Sequence, residues 1–262
     1  AGNLAGAKTG ELFYDSTNRD FKYQYPNVTS AGSWSSGSNM NTERAYMGGT
    51  GIQTAALSVG GATVPPLVAN AEQYNGSSWT EVGDINTTRW QLAAAGTYTS
   101  AIGFGGATSL PAGSSVTNAE SWNGSSWTEV ADLNQGRRQL LGVGASNTSA
   151  LAYGGFNPGP TYYDLTETWN GSSWTEVGDL NTVRRAGGST GDATAALAIA
   201  GQSPTPSGNT AATESWNGTA WTTLPATLNT DRGAAESSKI STTTALYFGG
   251  DIEAGRVGRT EL

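Results

Sequence analysis

The amino-acid sequence predicts an all-β fold, a five-bladed β-propeller of four-stranded antiparallel blades. Three observations predict it: near-identical segments recur about every 47 residues, each repeat has an apolar stretch that ends in glycine, and each carries an aromatic Trp near a tight turn. A single short sheet cannot bury its own apolar face, so copies of it must stack on one another. Stacking around a ring also protects the sheet edges, which favours a closed propeller.

The most regular mark of the repeat is a Trp. Successive copies lie 45, 48, 47 and 47 residues apart. The five repeated Trp residues are Trp34, Trp79, Trp127, Trp174 and Trp221. This spacing predicts five blades.

The four strands of each blade can be assigned in order. A Gly- and Ala-rich stretch such as 91–96 suits the innermost strand, because blades that converge on an axis leave little room for side chains. The apolar stretch that ends in Gly-Gly, such as 100–106, is the second strand. An aromatic residue ends the third, Asn-Gly makes the hairpin, and Ser-Trp-Thr-Glu-Val forms the outer edge.

Two charged positions also recur once per blade, an Arg after the Trp and a Glu before the next aromatic residue. They are Arg44, Arg89, Arg137, Arg184 and Arg232, with Glu72, Glu120, Glu167, Glu214 and Glu261. One interpretation is a ring of ligand contacts. The favoured interpretation is a Glu–Arg or Arg–carbonyl bond that locks blade to blade, because a feature copied into every blade serves packing.

The two ends of the chain predict how the ring closes. The last repeat stops at 260–262, where a further aromatic residue is due, and the first begins at 25–34 without a preceding strand. We therefore expect the N- and C-terminal segments to pair within one blade. Residues 25–262 are then the propeller, and residues 1–24 an N-terminal extension that serves as anchor or linker.

Composition narrows the chemistry. The net charge of −8 disfavours nucleic acid as a partner. The chain has no Cys and no His, which removes thiolate and imidazole metal ligands and the commonest general base. No stretch approaches the roughly 18 apolar residues of a membrane helix. We expect no cofactor, no metal and no membrane insertion.

The order of Arg, small strand, Gly-Gly strand, turn and Trp resembles the kelch repeat over residues 25–262, except that Ala200-Gly201 replaces Gly-Gly in the fourth blade. The wording WNGSSWTEVGDLN is similar to kelch-type proteins of marine tailed phages, and residues 10–25 resemble short aromatic hairpins of phage tail-fibre proteins. These resemblances imply a structural or adhesion protein on a virion or an extracellular surface. Its partners would be other virion or surface proteins, or further copies of itself.

Positions that differ between blades are the candidates for binding. Trp90, Arg138 and Arg185 directly follow a repeated Arg, and we expect them near one mouth of the central channel. Stacking on the Trp and forked hydrogen bonds from Arg would suit a sugar ring or an anionic cell-surface glycan. The alternative is that Trp90 fills a gap in the packing.

The loops after Gly-Gly also vary, and the loop at 156–165 is the most aromatic. It contains Phe156, Tyr162 and Tyr163, which would contact a ligand or anchor an ordinary solvated loop.

An enzyme is the least favoured class. Five-bladed propellers include glycoside hydrolases, which need a pair of carboxylates. Glu236 lies on an inner-strand stretch near Lys239, but no second carboxylate accompanies it, so we assign no catalytic residue. Three hypotheses remain: a surface structural or adhesion module, a lectin-like glycan binder, and a glycosidase that uses Glu236.

Overall fold

The computed structural model describes most of the chain. The described residues are 12–15, 20–23 and 36–262, without 64–65, 111–112, 114, 159–160, 205–207, 239–241, 244, 253–254, 257–259 and 262. For 12–15, 20–23, 236, 255–256 and 260–261 the description covers the backbone alone.

The chain divides into two units, Ala1–Gly37 and Ser38–Leu262. In the first unit, strands β1 (Leu12–Asp15) and β2 (Asp20–Tyr23) pair antiparallel, with Leu12 opposite Tyr23. The second unit contains the repeated sheets.

Four sheets of the second unit each contain four antiparallel strands in the order inner, second, third, outer. Blade 1 is β3 (Gly48–Ile52), β4 (Ala55–Val59), β5 (Ala71–Tyr74) and β6 (Trp79–Val82). Blade 2 is β7 (Ala93–Thr97), β8 (Ser100–Phe104), β9 (Ala119–Trp122) and β10 (Trp127–Val130). Blade 3 is β11 (Leu141–Ser146), β12 (Ser149–Tyr153), β15 (Thr166–Trp169) and β16 (Trp174–Glu176), with the hairpin β13 (Phe156–Asn157) and β14 (Thr161–Tyr162) between β12 and β15. Blade 4 is β17 (Gly188–Gly191), β18 (Ala196–Ile199), β19 (Ala212–Trp216) and β20 (Trp221–Thr227).

The fifth sheet has three described strands, in the order β21 (Glu236–Ser237), β22 (Tyr247–Phe248) and β25 (Thr260–Glu261). A two-stranded hairpin, β23 (Asp251–Ile252) and β24 (Gly255–Arg256), lies between β22 and β25 in the chain. The proposed fourth strand from residues 25–34, which include Trp34, falls outside the described residues.

The inner strands lie side by side, β3 against β7, β7 against β11, β11 against β17 and β17 against β21. Small residues allow this approach. A Cβ at Gly142 of blade 3 would lie 2.7 Å from the ring of Phe104 in blade 2, so the glycine makes room for that aromatic side chain. Close contact between neighbouring blades therefore explains why the inner strands are rich in small residues, as predicted.

Each Asn-Gly hairpin is held in the same way. In blade 2, Asn123 Oδ1 accepts the backbone N–H groups of Ser125 and Ser126, both at 2.9 Å, and Gly124 has φ 95°. The side chain of Asn therefore closes the turn, and Gly supplies the left-handed backbone.

Neighbouring blades are joined by their apolar faces. The outer-strand Trp of one blade packs on the second strand of the blade before it, as Trp174 does on Phe104 with ring centres 4.9 Å apart. Trp221 packs likewise on Tyr153, at 4.7 Å. Buried Trp therefore covers the face that a single sheet would leave exposed, and burial of such a large side chain is strongly favourable.

These sheets confirm an all-β propeller fold of four-stranded antiparallel blades, with the strand order that the repeat predicts. The pairing of the chain ends remains a prediction, because it rests on residues outside the described ones.

Candidate functional site

A central cavity of about 1010 Å³ is lined by residues of all five inner strands and also by Met40, Leu57 and Trp79. One mouth of this cavity is lined by the residue two positions after each repeated Arg. These are Tyr46, Gln91, Gln139, Ala186 and Ala234. All five have positive φ, between 48° and 58°, although none is glycine.

Backbone hydrogen bonds connect these residues from blade to blade. The N–H of Gln91 donates to Tyr46 O at 2.7 Å, that of Gln139 to Gln91 O at 2.9 Å, and Ala186 and Ala234 continue the series. The left-handed conformation turns each N–H toward the preceding blade. The mouth is therefore a rigid rim rather than a set of loose loops.

A smaller cavity of about 460 Å³ lies at the other end of the inner strands. Ile52, Tyr98 and Ala145 are among its lining residues. Ile52 and Tyr98 are exposed, so this hairpin end of the propeller has an apolar surface of its own.

The repeated Arg and Glu form buried ion pairs in blades 1 to 4. Nη1 of Arg44 lies 2.6 Å from Glu72, and Nη2 of Arg89 lies 2.8 Å from Glu120. The further pairs are Arg137–Glu167 at 2.9 Å and Arg184–Glu214 at 2.5 Å. These residues serve the framework and leave no charge for a ligand.

We expected a Glu–Arg or Arg–carbonyl bond that locks blade to blade; the Arg side chains form both kinds of bond, but with residues of a single blade. The pair joins the segment that precedes a blade to the third strand of that same blade. The bond between blades is made by the Arg backbone, because Gly61 N–H donates to Arg89 O and Gly106 N–H to Arg137 O, at 2.8 and 2.9 Å. The side chain of Glu261, which would face Arg232, is outside the described residues. Arg232 Nη2 donates to Tyr247 O at 3.4 Å.

Burial and hydrogen bonding act in opposite directions on these groups. Burial alone raises the pKa of Glu72, but bonds donated by the amides of Asn41 and Thr42 and by Arg44 outweigh it, so the pKa is lowered. Burial lowers the pKa of Arg137, and Glu167 opposes that shift. Arg137 nevertheless stays charged at neutral pH, because an arginine guanidinium is not deprotonated in proteins.

The structure brings most of the predicted binding residues into one row, which we call the aromatic–arginine row. The Cζ of Arg138 lies 5.7 Å from the centre of the Trp90 ring and 4.7 Å from that of Phe156. The Cζ of Arg185 lies 4.0 Å from the Phe156 ring and 4.9 Å from Tyr162. Aromatic and cationic side chains therefore alternate, each cation against the face of a ring.

Backbone hydrogen bonds to the loop segments place the aromatic–arginine row on the loops rather than in the channel. Arg138 and Phe156 exchange backbone hydrogen bonds, both at 3.0 Å, and Trp90 and Ala107 do the same. Trp90 Nε1 donates to Ser109 O at 3.2 Å. Trp90, Arg138 and Arg185, which we expected near one mouth of the channel, directly precede residues that line the cavity but are not lining residues themselves.

Tyr163 does not extend the row through any described ring contact. Its N–H donates to Gly155 O at 2.9 Å, and its carbonyl accepts the N–H of Arg184 at 3.2 Å. The second of these backbone bonds ties the 156–165 loop to the segment that leads into the following blade.

Sequence reasoning missed Tyr46, which lies edge-to-face on Trp90 with ring centres 5.4 Å apart. Tyr46 is 57% exposed and is the most solvent-accessible aromatic residue of the row. The one sequence signal for Tyr46 is its position two residues after Arg44. In this blade the residue equivalent to Trp90 is Ala45. The row therefore begins at the channel mouth and continues over the loops.

Among the residues that the structure describes, no cluster of three or more His, Cys, Asp or Glu could hold a metal ion. In the same part of the chain no helix has the length and apolar character needed to cross a membrane.

These features define a β-propeller with a repeated framework and one non-repeated surface row. No protein-family model matches the chain, and no curated protein does so either. Among solved structures it is similar to the one titled "Structure of YjhT", with a TM-score of 0.65 and 14% identity over 80% of this chain and 73% of that chain. At this identity the likeness shows a kelch-like β-propeller fold alone.

Proposed function

We propose that this chain is a non-enzymatic binding module, displayed on a virion or extracellular surface, that contacts a host surface or another protein through its loops. The single observation that supports this function best is the aromatic–arginine row. Its members stand at positions that vary between blades, whereas the repeated residues are used in packing. A rigid ring that holds variable loops is the arrangement that binding proteins use.

The surface location rests on the resemblance to kelch-type proteins of marine tailed phages. In such a setting the partners are other virion or surface proteins, or further copies of the chain. Fluorescently labelled protein on intact cells of marine bacteria tests this proposal. Wild-type protein should decorate cells of a host.

The two ends of the propeller provide matched variants for that assay. A Phe156→Ser, Tyr162→Ser double variant removes two rings of the row and should lower decoration at least ten-fold. An Ile52→Ser, Tyr98→Ser double variant removes two exposed apolar side chains at the hairpin end and should leave decoration unchanged. Circular dichroism checks that both fold. Equal loss in both variants, or no decorated cell at all, would overturn the proposal.

A lectin-like function is the second candidate, and the half-buried Trp90 in contact with Arg138 favours it. A flat aromatic ring beside a guanidinium suits a sugar. A glycan array should give positive spots for wild-type protein, and Trp90→Ala should abolish them. Without such spots the surface-binding proposal stands alone.

A glycosidase is the weakest candidate. The backbone of Glu236 lies on the inner strand β21, and its side chain is outside the described residues. Hydrolysis of a glycoside that is lost in Glu236→Gln would support this third function. The same result would exclude the non-enzymatic proposal.

A further inference from the structure

Two arginines differ from all the other cations whose side chains the structure describes. Arg138 and Arg185 stand outside the repeated Arg position, and they are neighbours in the row. In blades 1 to 4 the repeated Arg meets a Glu within 2.9 Å. Within the described part of the chain, Arg138 and Arg185 have no carboxylate within salt-bridge distance.

Arg138 is buried despite this lack of a counter-ion. It is 4% exposed, and its Nε and Nη1 atoms are buried without a hydrogen-bond partner. Nε of Arg185 is in the same state. Burial and the nearby charge of Arg185 lower the pKa of Arg138. A buried unpaired cation is costly, and contact with the Trp90 and Phe156 rings offsets only part of that cost.

The packing of the blades does not account for the charges of Arg138 and Arg185. The same position is occupied by Ala45 in blade 1 and Gly233 in blade 5, and their backbones make the same bridge to the loop. Side chains without charge are therefore compatible with this backbone. Cations that lack a counter-ion, at a position where Ala and Gly are also accommodated, are typical of a site that binds an anion.

We propose that the Arg138–Arg185 end of the row binds the oxyanion group of an acidic saccharide, a uronate or a sulfated sugar. This inference rests on the proposed binding function and assigns its ligand class. The half-buried Arg185 presents guanidinium donors to the carboxylate or sulfate, in the fork geometry that such groups accept. Trp90 and the exposed Tyr46 provide ring faces for the sugar body. The chain as a whole is negative, so recognition depends on these local contacts rather than on long-range attraction.

Isothermal titration with three probes tests the proposal: methyl glucuronide, methyl glucoside as its neutral counterpart, and sodium sulfate. Ionic strength is held constant with sodium chloride. For wild-type protein the glucuronide should bind at least ten-fold more tightly than the glucoside. Arg185→Gln should weaken glucuronide at least ten-fold and change glucoside binding less than three-fold. Tyr98→Ala, at the hairpin end, is the control and should change neither.

Arg138→Met separates a functional from a structural role. It should lose glucuronide binding while its urea midpoint stays equal or rises, because an unpaired buried charge is removed. Destabilisation with intact glucuronide binding would overturn the proposal. So would equal affinity for glucuronide and glucoside, or sulfate binding that matches the glucuronide.

The experimental outcomes distinguish failure of the anion site from failure of the proposed binding function. The anion site is refuted if the protein shows no preference for acidic sugars but still binds neutral glycans through Trp90 or decorates cells through the row. The proposed binding function is retained in that case. Decoration that does not depend on Phe156 and Tyr162 refutes the binding module itself.

Discussion

Arg137 and Glu167 form an ion pair in which Nη2 lies 2.9 Å from Oε1 and neither side chain is more than 1% exposed. Glu167 also accepts the N–H and Nδ2 of Asn134, at 2.8 and 2.9 Å. Arg137 donates in addition to Gly154 O and Leu165 O. One buried pair thus fastens the segment between two blades to the sheet that follows.

Glu167→Gln should lower the free energy of unfolding by about 3–5 kcal/mol, because Arg137 is left as a buried charge without a counter-ion. Glu176 is the matched control, since it faces Glu167 across β15 and β16 but is exposed. Glu176→Gln should change stability by less than about 0.5 kcal/mol. Urea unfolding measures both, and similar losses would contradict the framework role of the pair.

Ala200 offers a stabilising change. It occupies the first Gly-Gly position of blade 4 with φ 51°, a conformation that strains an L-residue and suits glycine. Ala200→Gly should raise the free energy of unfolding by about 0.5–1 kcal/mol.

Gly105→Ala is the reverse change at the same position of blade 2. Its φ is 65°, and a Cβ there would lie 2.6 Å from Arg137 O, so we expect a loss of about 1–3 kcal/mol. Thermal unfolding of the two variants should move in opposite directions. A shift of the same sign in both would show that backbone conformation does not govern this turn.

Two of the repeated Trp residues, Trp221 and Trp174, differ in whether the indole N–H has a hydrogen-bond partner. Trp221 Nε1 donates to Thr166 Oγ1 at 3.0 Å, whereas Nε1 of Trp174 is buried without a partner. Trp→Phe at either position shrinks a side chain in the core, but Trp221→Phe also orphans the Thr166 hydroxyl. It should therefore cost about 1 kcal/mol more than Trp174→Phe. A double-mutant cycle with Thr166→Val should return a coupling of that size, and zero coupling would refute it.

Acid should weaken the fold through Glu72. Its folded pKa is lowered, so the stability that it contributes is complete above the unfolded value of about 4.3 and is lost as pH falls through the folded pKa. Wild-type protein should therefore lose stability below about pH 4.3. Glu72→Gln should be less stable at pH 7 but should show a flatter dependence in that window. Equal slopes from urea titrations at pH 3 to 6 would contradict this role.

The strand order of the blades could be predicted because each strand has its own local signal. Asn-Gly marks the hairpin after the third strand, and the Gly-Gly stretch marks the end of the second. The role of the repeated Arg was harder to predict, since its side chain serves one blade and its carbonyl the preceding one. Sequence position alone cannot separate these two contributions.

The site could be predicted only in part. Variation between blades pointed to Trp90, Arg138 and Arg185, and aromatic content pointed to Phe156 and Tyr162. Aromatic and cationic side chains alternate because each backbone bridge pairs one particular loop residue with the position after the repeated Arg. This pairing is set by the tertiary structure. Tyr46 was missed for the same reason, because its contact with Trp90 joins two blades whose residues are 44 positions apart in the sequence.

Hydrogen exchange of the protein, alone and bound to the cells that it decorates, tests most directly whether the loop surface is the binding surface. We predict slower exchange in peptides that cover 107–118 and 156–165 and unchanged exchange in the inner hairpins at 97–100 and 146–149. Protection confined to the inner hairpins, or spread evenly over both ends of the propeller, would contradict the assignment of binding to the aromatic–arginine row.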